Sequence, residues 1–494
     1  MKIAIIGAGY VGLVSAGCFA ELGHDVLAVD KDAAKIESLR VGHVPIHEAY
    51  LPALLRRHLG KGLRFSTDIA EAFRFCDIAF ICVGTPPSPS GEADLSYVEN
   101  VALELSRALS GHKVIVEKST VPVGTCDAVR RVMLQNGADI RDFSVASNPE
   151  FLREGTAVTD FLYPDRILLG VDDDLSCAML KAIYAPILDG SYLKKLNPIA
   201  RPPQGQPRPK TELIVSTVKS AELIKHASNA FLALKISFIN AVSSVCERVG
   251  ADVREVAHGM GSDSRIGTQF LKPGIGYGGS CFPKDVLAFR SVARSVGYEF
   301  NLLSDVMAIN EDQKVRFVEK VRGALWTLRG KRLAVLGLAF KNGTDDVRDS
   351  PALDIVLRLC AEGAKVIAYD PAAMHTAARV LPDGAVTFAA NAYDACRDAS
   401  ALLILTEWPE FAELDFRRVH ELLSVPIVLD GKNLLSAEKV TAAGLNYIGV
   451  GTPSLQVESQ IHPSKRAVDR QTLPPLPERF GTQVPAMASL AESA

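Results

Sequence analysis

The sequence lacks any window of about 20 residues free of charge, so no membrane span is expected from it. It also lacks the basic n-region of a secretory signal. Its first apolar run, IAIIGAGYVGLV, begins at Ile3 and is broken by glycines. Paired cysteines are missing too: the nine are scattered singly, without a CxxC or a His-rich partner. That argues against a zinc site and a disulfide framework, and no metal is expected. Net charge is nearly absent, at −3, which gives no reason to expect nucleic acid or an anionic membrane as partner. A phosphate-bearing small molecule stays open, because its site needs only a few local donors. The expectation is a reduced, cytosolic protein of ordinary balance, 48% apolar and 22% charged. At 494 residues it is too long for one core, so two or three domains are expected.

What is present is an alternation of strand and helix. KIAIIG, DVLAVD, IAFICVG, KVIVEKS, DFSVAS and RILLGV are continuous rather than alternating apolar runs. They predict buried parallel strands in a doubly wound sheet. From about Ser216 to Val249 the sequence turns Ala- and Leu-rich, with no proline and one glycine at its end. This predicts one long helix of roughly 45 Å, a spine between domains and a candidate dimer surface. A second series, KRLAVLG, KVIAYDP, ALLILT and PIVLD, predicts a second Rossmann-like sheet. The expected division is a first α/β domain over 1–211, a helical middle over 212–325, a second α/β domain over 326–462, and a disordered tail over 463–494. Two stretches stand apart. The Pro-rich 197–210 carries five prolines and three basic residues and is expected to be an inert surface excursion. The tail, with its PPLP run at Pro474, is expected to be plainly solvated.

Gly7, Gly9 and Gly12 form G-x-G-x-x-G between the first strand and the following helix. Such glycines permit a tight turn, close approach to a pyrophosphate and close helix–strand packing. The helix N-terminus offers free N–H groups to the phosphates. The next strand ends in Asp30, at the spacing of an acid that takes the ribose hydroxyls and repels a 2′-phosphate, so NAD is expected rather than NADP. Lys31 and Lys35 soften that exclusion without replacing the carboxylate. An FAD site, or a glycine turn without ligand, is the alternative.

The segment GIGYGGSCFPKD, 274–285, places four glycines ahead of Cys281. Glycines cost backbone entropy, and here they are expected to let the chain approach a ligand. Lys284 and Asp285 follow at once, supplying the sulfur with a cation and a proton partner. The plain alternative is one more small buried cysteine, as expected for Cys18 and Cys82.

With GAGYVGL, EKSTVPVGT, NPEFLREG, AELIKHASNAFLALKISFIN, GIGYGGSCFPKD and LAFKNGTDDVRDSPA in order, the chain resembles the UDP-glucose/GDP-mannose dehydrogenase family over 1–451. The resemblance implies two NAD-coupled oxidations of a sugar C6 alcohol to a carboxylate. Cys281 would form a thiohemiacetal and then a thioester that water hydrolyses. Lys225 is similar to the lysine that stabilises the oxyanion, and Asn229, one helical turn on, to a substrate-orienting amide. Thr120 and Asp285 look like the pair that positions a water. Glu150 resembles the base for hydrolysis, and Glu154 a residue near nicotinamide and substrate. The family pattern further implies substrate contacts from Phe151, Leu152 and Arg153, and from Phe270, Leu271, Lys272, Pro273, Gly274 and Gly278. Lys341 should meet the diphosphate or sugar. Val11, Lys35, Thr85, Lys284 and Arg348 complete the implied NAD contacts. Arg265 is similar to an arginine that enters a partner subunit's site, which implies a homodimer or a higher homo-oligomer.

The sequence departs from the family at three places. Ala49 and Tyr50 stand where relatives usually have Pro-Gly, 197–210 looks inserted, and Lys432 replaces an arginine, removing a bidentate phosphate grip. FLREG and GYGGSCFPKD resemble the members acting on UDP-glucose, giving UDP-glucuronate for polysaccharide synthesis. Ser280 stands where enzymes for N-acetylated sugars carry histidine. GDP-mannose is the alternative nucleotide sugar. A binding protein that has lost catalysis, and a two-electron hydroxyacid dehydrogenase, are the alternatives from other classes.

Overall fold

The computed structural model describes residues 1–88, 91–201 and 210–453. The middle of the Pro-rich excursion and the expected tail with its PPLP run lie outside the described residues.

The first sheet contains β1 (Lys2–Ile6), β2 (Asp25–Val29), β3 (Leu63–Ser66), β4 (Ile78–Ile81), β5 (Lys113–Glu117), β6 (Phe143–Ser147), β7 (Arg166–Gly170) and β8 (Glu212–Ser216), in the order β3-β2-β1-β4-β5-β6-β7-β8. The second contains β9 (Arg332–Leu336), β10 (Lys365–Tyr369), β11 (Val386–Phe388), β12 (Ala401–Ile404), β13 (Ile427–Asp430) and β14 (Asn446–Ile448), in the order β11-β10-β9-β12-β13-β14. Six strands of the first sheet and all six of the second therefore share one doubly wound topology, as the sequence predicts. Each reverses its strand order beside its first strand, and the crevice at that point is where open α/β sheets take ligands.

The strands are continuous apolar runs because both sheet faces are covered. Along β1, Ile3 and Ile5 pack with Phe19 on one face, while Ala4 and Ile6 pack with Phe73 on the other. One expectation needs correcting: β7 is not parallel to its neighbour β6 but meets it antiparallel, through Ser147 and Gly170. β8 then pairs with β7 in parallel. The first sheet therefore takes in Glu212–Ser216, which the sequence assigns to the helical middle.

The long helix spans Val218–Val249. Thr217 caps its start by accepting from the Ser220 N–H, and Gly250 ends it with φ +78°. By length and composition it could cross a membrane. Here it packs against the helices Phe282–Ser295 and Asn301–Leu325, and it buries Glu222, Lys225, His226, Asn229 and Asn240. Its outward face carries exposed Leu223, Phe231, Phe238, Val245 and Val249 at helical spacing.

Tyr50 accounts for one family departure. It precedes the helix Leu51–His58 with φ +67°, in the left-handed region where a glycine is at ease.

Candidate active site

The three fingerprint glycines are required for different reasons. A Cβ on Gly7, whose φ is +105°, would lie 2.7 Å from the Cys82 carbonyl oxygen. One on Gly12 would lie 1.8 Å from the Gly7 carbonyl oxygen. Gly9 has nothing within 4 Å of that position. Packing thus dictates Gly7 and Gly12, whereas Gly9 leaves open space above the N-terminus of the helix Tyr10–Glu21, whose first turn holds Val11. Asp30 follows β2 and accepts from the Ala8 N–H at 2.9 Å and the Lys35 ammonium at 2.9 Å on one oxygen, and from the Asp32 N–H at 3.0 Å on the other. Burial works against its charge, but these donors win and hold the carboxyl below its usual range. An ionised acid, an uncovered glycine and a free helix N-terminus fit a dinucleotide with an unphosphorylated ribose.

A separate cleft of about 2040 Å³ lies between the residues that follow β6 and the loops of the second sheet. Glu150 to Glu154, Lys225, Asn229, Phe270 to Gly274, Gly278, Cys281 and Lys341 all line it. Arg265 does not: it lies on the surface, paired with Asp263 at 2.6 Å.

Cys281 caps the N-terminus of the helix Phe282–Ser295, an end whose dipole favours a thiolate. Even so, burial, reinforced by Glu150 and Asp285, pushes the thiol up to about 11, against the pull of Lys225. The resting group is a thiol. The cation that favours the thiolate is Lys225 rather than the expected Lys284. Lys284 turns away, donating to Asp285 at 2.7 Å and to the Thr85 hydroxyl at 3.3 Å. The Thr85 hydroxyl in turn donates to the Thr120 carbonyl at 2.9 Å, so a polar thread runs from Asp285 to the Thr120 loop.

Lys225 and Asn229 project from one face of the long helix, as their spacing requires. The ammonium of Lys225, a residue 4% exposed, lies 3.0 Å from Glu150 Oε1, and the Leu152 N–H bonds the other Glu150 oxygen. Burial alone would discharge this lysine, but Glu150, Asp285 and Cys281 hold its pKa above the usual value. Asn229 Nδ2 donates to Asp285 at 2.5 Å. Glu154 accepts from the Ser280 hydroxyl at 3.0 Å and from Arg348 at 3.4 Å. Burial and neighbouring Asp346 push it up to about 7. Arg153 is clamped by Asp160 at 2.6 Å. Lys432 meets Glu407 at 3.0 Å, so its single charge is already matched.

The glycines before Cys281 have a structural reason that the sequence does not reveal. A Cβ on Gly278 would lie 2.1 Å from the Asp349 carbonyl, and one on Gly279 2.7 Å from the Phe340 ring. Gly276, at φ +108°, meets Asn310. Gly278 and Gly279 dock the cysteine loop against the loop after β9, Gly276 docks it against the helix Asn301–Leu325, and all three also line the cleft. Cys18 and Cys82 are fully buried or nearly so, in line with the plain reading of them.

Sequence reasoning missed three polar groups. Glu48 is buried, bonds the Tyr10 hydroxyl, and accepts from the Gly155 and Ala157 N–H groups at 2.6 and 2.9 Å. Burial pushes it up to about 7. It ties the fingerprint loop to the FLREG loop. Asp346 orients Arg348 through paired bonds of 2.9 and 2.6 Å. Lys118 lies buried against Asn148, in the same cleft wall as Glu150. Its only sequence signal was membership of EKSTVPVGT, where it reads as the end of a strand.

Three models of one family match the chain in order: the NAD binding domain over residues 1–188, the central domain over 219–312 and the UDP binding domain over 334–437. The chain belongs to the UDP-glucose/GDP-mannose dehydrogenase family. It is 45% identical over 456 residues to UDP-glucose 6-dehydrogenase TuaD of Bacillus subtilis, covering 92% of this chain and 94% of that protein. It is 44% identical to the UDP-glucose 6-dehydrogenase of Rhizobium meliloti, covering 92% of this chain and all of that one. Among solved structures, it superposes on a UDP-glucose dehydrogenase from Pyrobaculum islandicum with a TM-score of 0.80 at 38% identity, covering 91% of this chain and 98% of the other. Family membership makes this chain an NAD-dependent dehydrogenase. It also assigns the sheet that begins with β1 to the cofactor and the sheet that begins with β9 to a uridine nucleotide.

Proposed function

We propose that this chain oxidises the C6 alcohol of UDP-glucose to the carboxylate of UDP-glucuronate, with Cys281 as covalent nucleophile. The observation that carries this reading is the convergence of Cys281, Lys225, Glu150 and Asn229 in one cleft, with Asp285 buried behind Asn229. The names of the relatives at 45% and 44% identity support the choice of sugar nucleotide.

NAD, when bound, supplies the acceptor for one hydride in each of two rounds. The alcohol proton leaves to a water held by Thr120 and Asp285, and Lys225 stabilises the oxygen as its charge develops. The Cys281 sulfur then adds to the aldehyde carbon. Because it rests as a thiol, its proton must leave as the C–S bond forms, and Asp285 is the acceptor in the cluster. The thiohemiacetal loses the second hydride to become a thioester. Glu150 takes a proton from water as its oxygen attacks the acyl carbon, the C–S bond breaks, and the thiolate regains a proton. Overall, an alcohol and a water become a carboxylate, with two hydrides and three protons removed. Covalent attachment keeps the aldehyde from escaping.

The exposed apolar face of the long helix and the outlying Arg265 support a dimer in which each subunit lends its arginine to the other's cleft. A three-part division, with the first boundary moved to about 216 and the second at about 325, belongs to the same reading.

The test is a panel of UDP- and GDP-sugars with NAD, counting NADH per substrate consumed. Two NADH with UDP-glucose are expected, and Cys281→Ser should bind UDP-glucose without completing the reaction. One NADH with release of free aldehyde would sink the covalent mechanism.

A further inference from the structure

Lys118 directly follows β5 and is 3% exposed. Its ammonium donates to the Asn148 carbonyl at 3.3 Å, to Asn148 Oδ1 at 3.2 Å and to the Tyr184 hydroxyl at 3.5 Å. It also lies 5.7 Å from the centre of the Phe161 ring. These three hydrogen bonds are long, and all go to neutral oxygens. A buried ammonium served only in this way is expensive, and burial pushes it down to about 8, with Glu150 among the groups that restore it.

Asn148 is over-determined in turn. Its N–H donates to the Glu117 carbonyl at 2.9 Å and its Nδ2 to the Leu168 carbonyl at 2.8 Å, while its Oδ1 also accepts from the Tyr184 hydroxyl at 2.6 Å. Asn148, Pro149 and Glu150 are consecutive, and proline fixes one backbone torsion between the clamp and the carboxylate. The cleft wall continues past Glu150 onto Asn148, Lys118 and Tyr184.

In the resting arrangement the partner of Glu150 is Lys225, at 3.0 Å. The reaction proposed above also asks Lys225 to stabilise the oxygen of the sugar. When it turns to that oxygen, Glu150 is left buried with a single backbone donor to hold it. Lys118 is the second positive charge, reaching Glu150 from behind through the residues that fix its backbone.

We propose that Lys118 is a positioning residue for the hydrolytic half of the reaction: it anchors Asn148–Pro149–Glu150 and holds the Glu150 carboxylate in place while Lys225 is engaged with the sugar. The two oxidations do not depend on it; release of the acyl group does. This rests on the reading of Cys281 and Glu150 given above.

The experiment mixes Lys118→Met, Tyr184→Phe, Glu150→Gln and the unaltered protein with NAD and UDP-glucose. NADH is followed through the first turnover, and the quenched protein is weighed for an acyl adduct on Cys281. Lys118→Met should release two NADH per site at the normal rate, then turn over about tenfold to a hundredfold more slowly, with the UDP-glucuronyl thioester accumulating and KM for UDP-glucose unchanged. Tyr184→Phe should show the same pattern more weakly, and it decides the matter if Lys118→Met does not fold. Normal steady-state turnover, or a slow first turnover without adduct, would overturn the proposal. Glu150→Gln separates the two levels. If it fails to trap a thioester, the reading of Glu150 is wrong. If it traps one while the other two variants do not, only the role of Lys118 is wrong.

Discussion

The two sheets share a strand order and the same opening device, yet they use it in opposite ways. In each, the first strand runs into a glycine of positive φ, +105° at Gly7 and +98° at Gly337, and the second strand is followed by an aspartate. In each, that aspartate accepts an N–H from the residue after the glycine: Ala8 to Asp30 and Leu338 to Asp370. There the likeness stops. Asp30 keeps a side chain that is 13% exposed. Asp370 is fully buried and takes four backbone N–H groups, from Leu338, Ala339, Ala372 and Ala373, together with the Trp408 indole at 3.1 Å. One acid keeps a side chain open to a ligand; the other is a buckle. Topology alone therefore does not make a dinucleotide site, and what decides is whether the acid has accepting capacity left over.

The comparison breaks most sharply at Asp370. Asp370→Ala leaves five donors without their acceptor and should destabilise the protein by at least about 3 kcal/mol in urea unfolding. A change below about 1 kcal/mol would remove the buckle. The glycines give the next largest effect. Gly12→Ala drives a methyl into the Gly7 carbonyl and should cost about 2–3 kcal/mol, whereas Gly9→Ala should stay within about 0.5 kcal/mol in stability and weaken NAD instead. Calorimetric titration with NAD beside thermal unfolding distinguishes the two; equal destabilisation by both would contradict the division of labour. The smallest effect is expected at Asp30. Asp30→Ala should weaken NAD by about 1.5 kcal/mol, roughly tenfold, and raise the NADP-to-NAD affinity ratio, because Lys31 and Lys35 remain nearby. An unchanged ratio would mean that the carboxylate does not select the cofactor.

The strands that the sequence revealed are those buried on both faces, such as β1 and β4, because burial writes itself as an unbroken apolar run. β3, β8, β11 and β14 were not read. They have three to five residues each, and β8 and β11 are half-exposed, so their apolar signal is short and interrupted. The antiparallel turn at β7 leaves no composition of its own. At the site, Cys281, Lys225 and Asn229 were legible through motif and helical spacing. Glu48 and Lys118 were not, since a lone acid before a helix and a lysine after a strand look like ordinary caps and surface charges. Only the fold reveals that both are buried. The charge state of Cys281 was also beyond the sequence, because Lys284 is its chain neighbour while Lys225 and Glu150 come from afar.

The loop that carries Cys281 is closed onto the second sheet by Gly278 against Asp349 and Gly279 against Phe340, contacts that admit no side chain. Under the proposed mechanism, a half-oxidised sugar on that sulfur would be held beside the sheet assigned to the nucleotide, while spent cofactor would leave from the other sheet. Release of one small molecule would then not require release of the other, and the intermediate would not have to be found again between rounds.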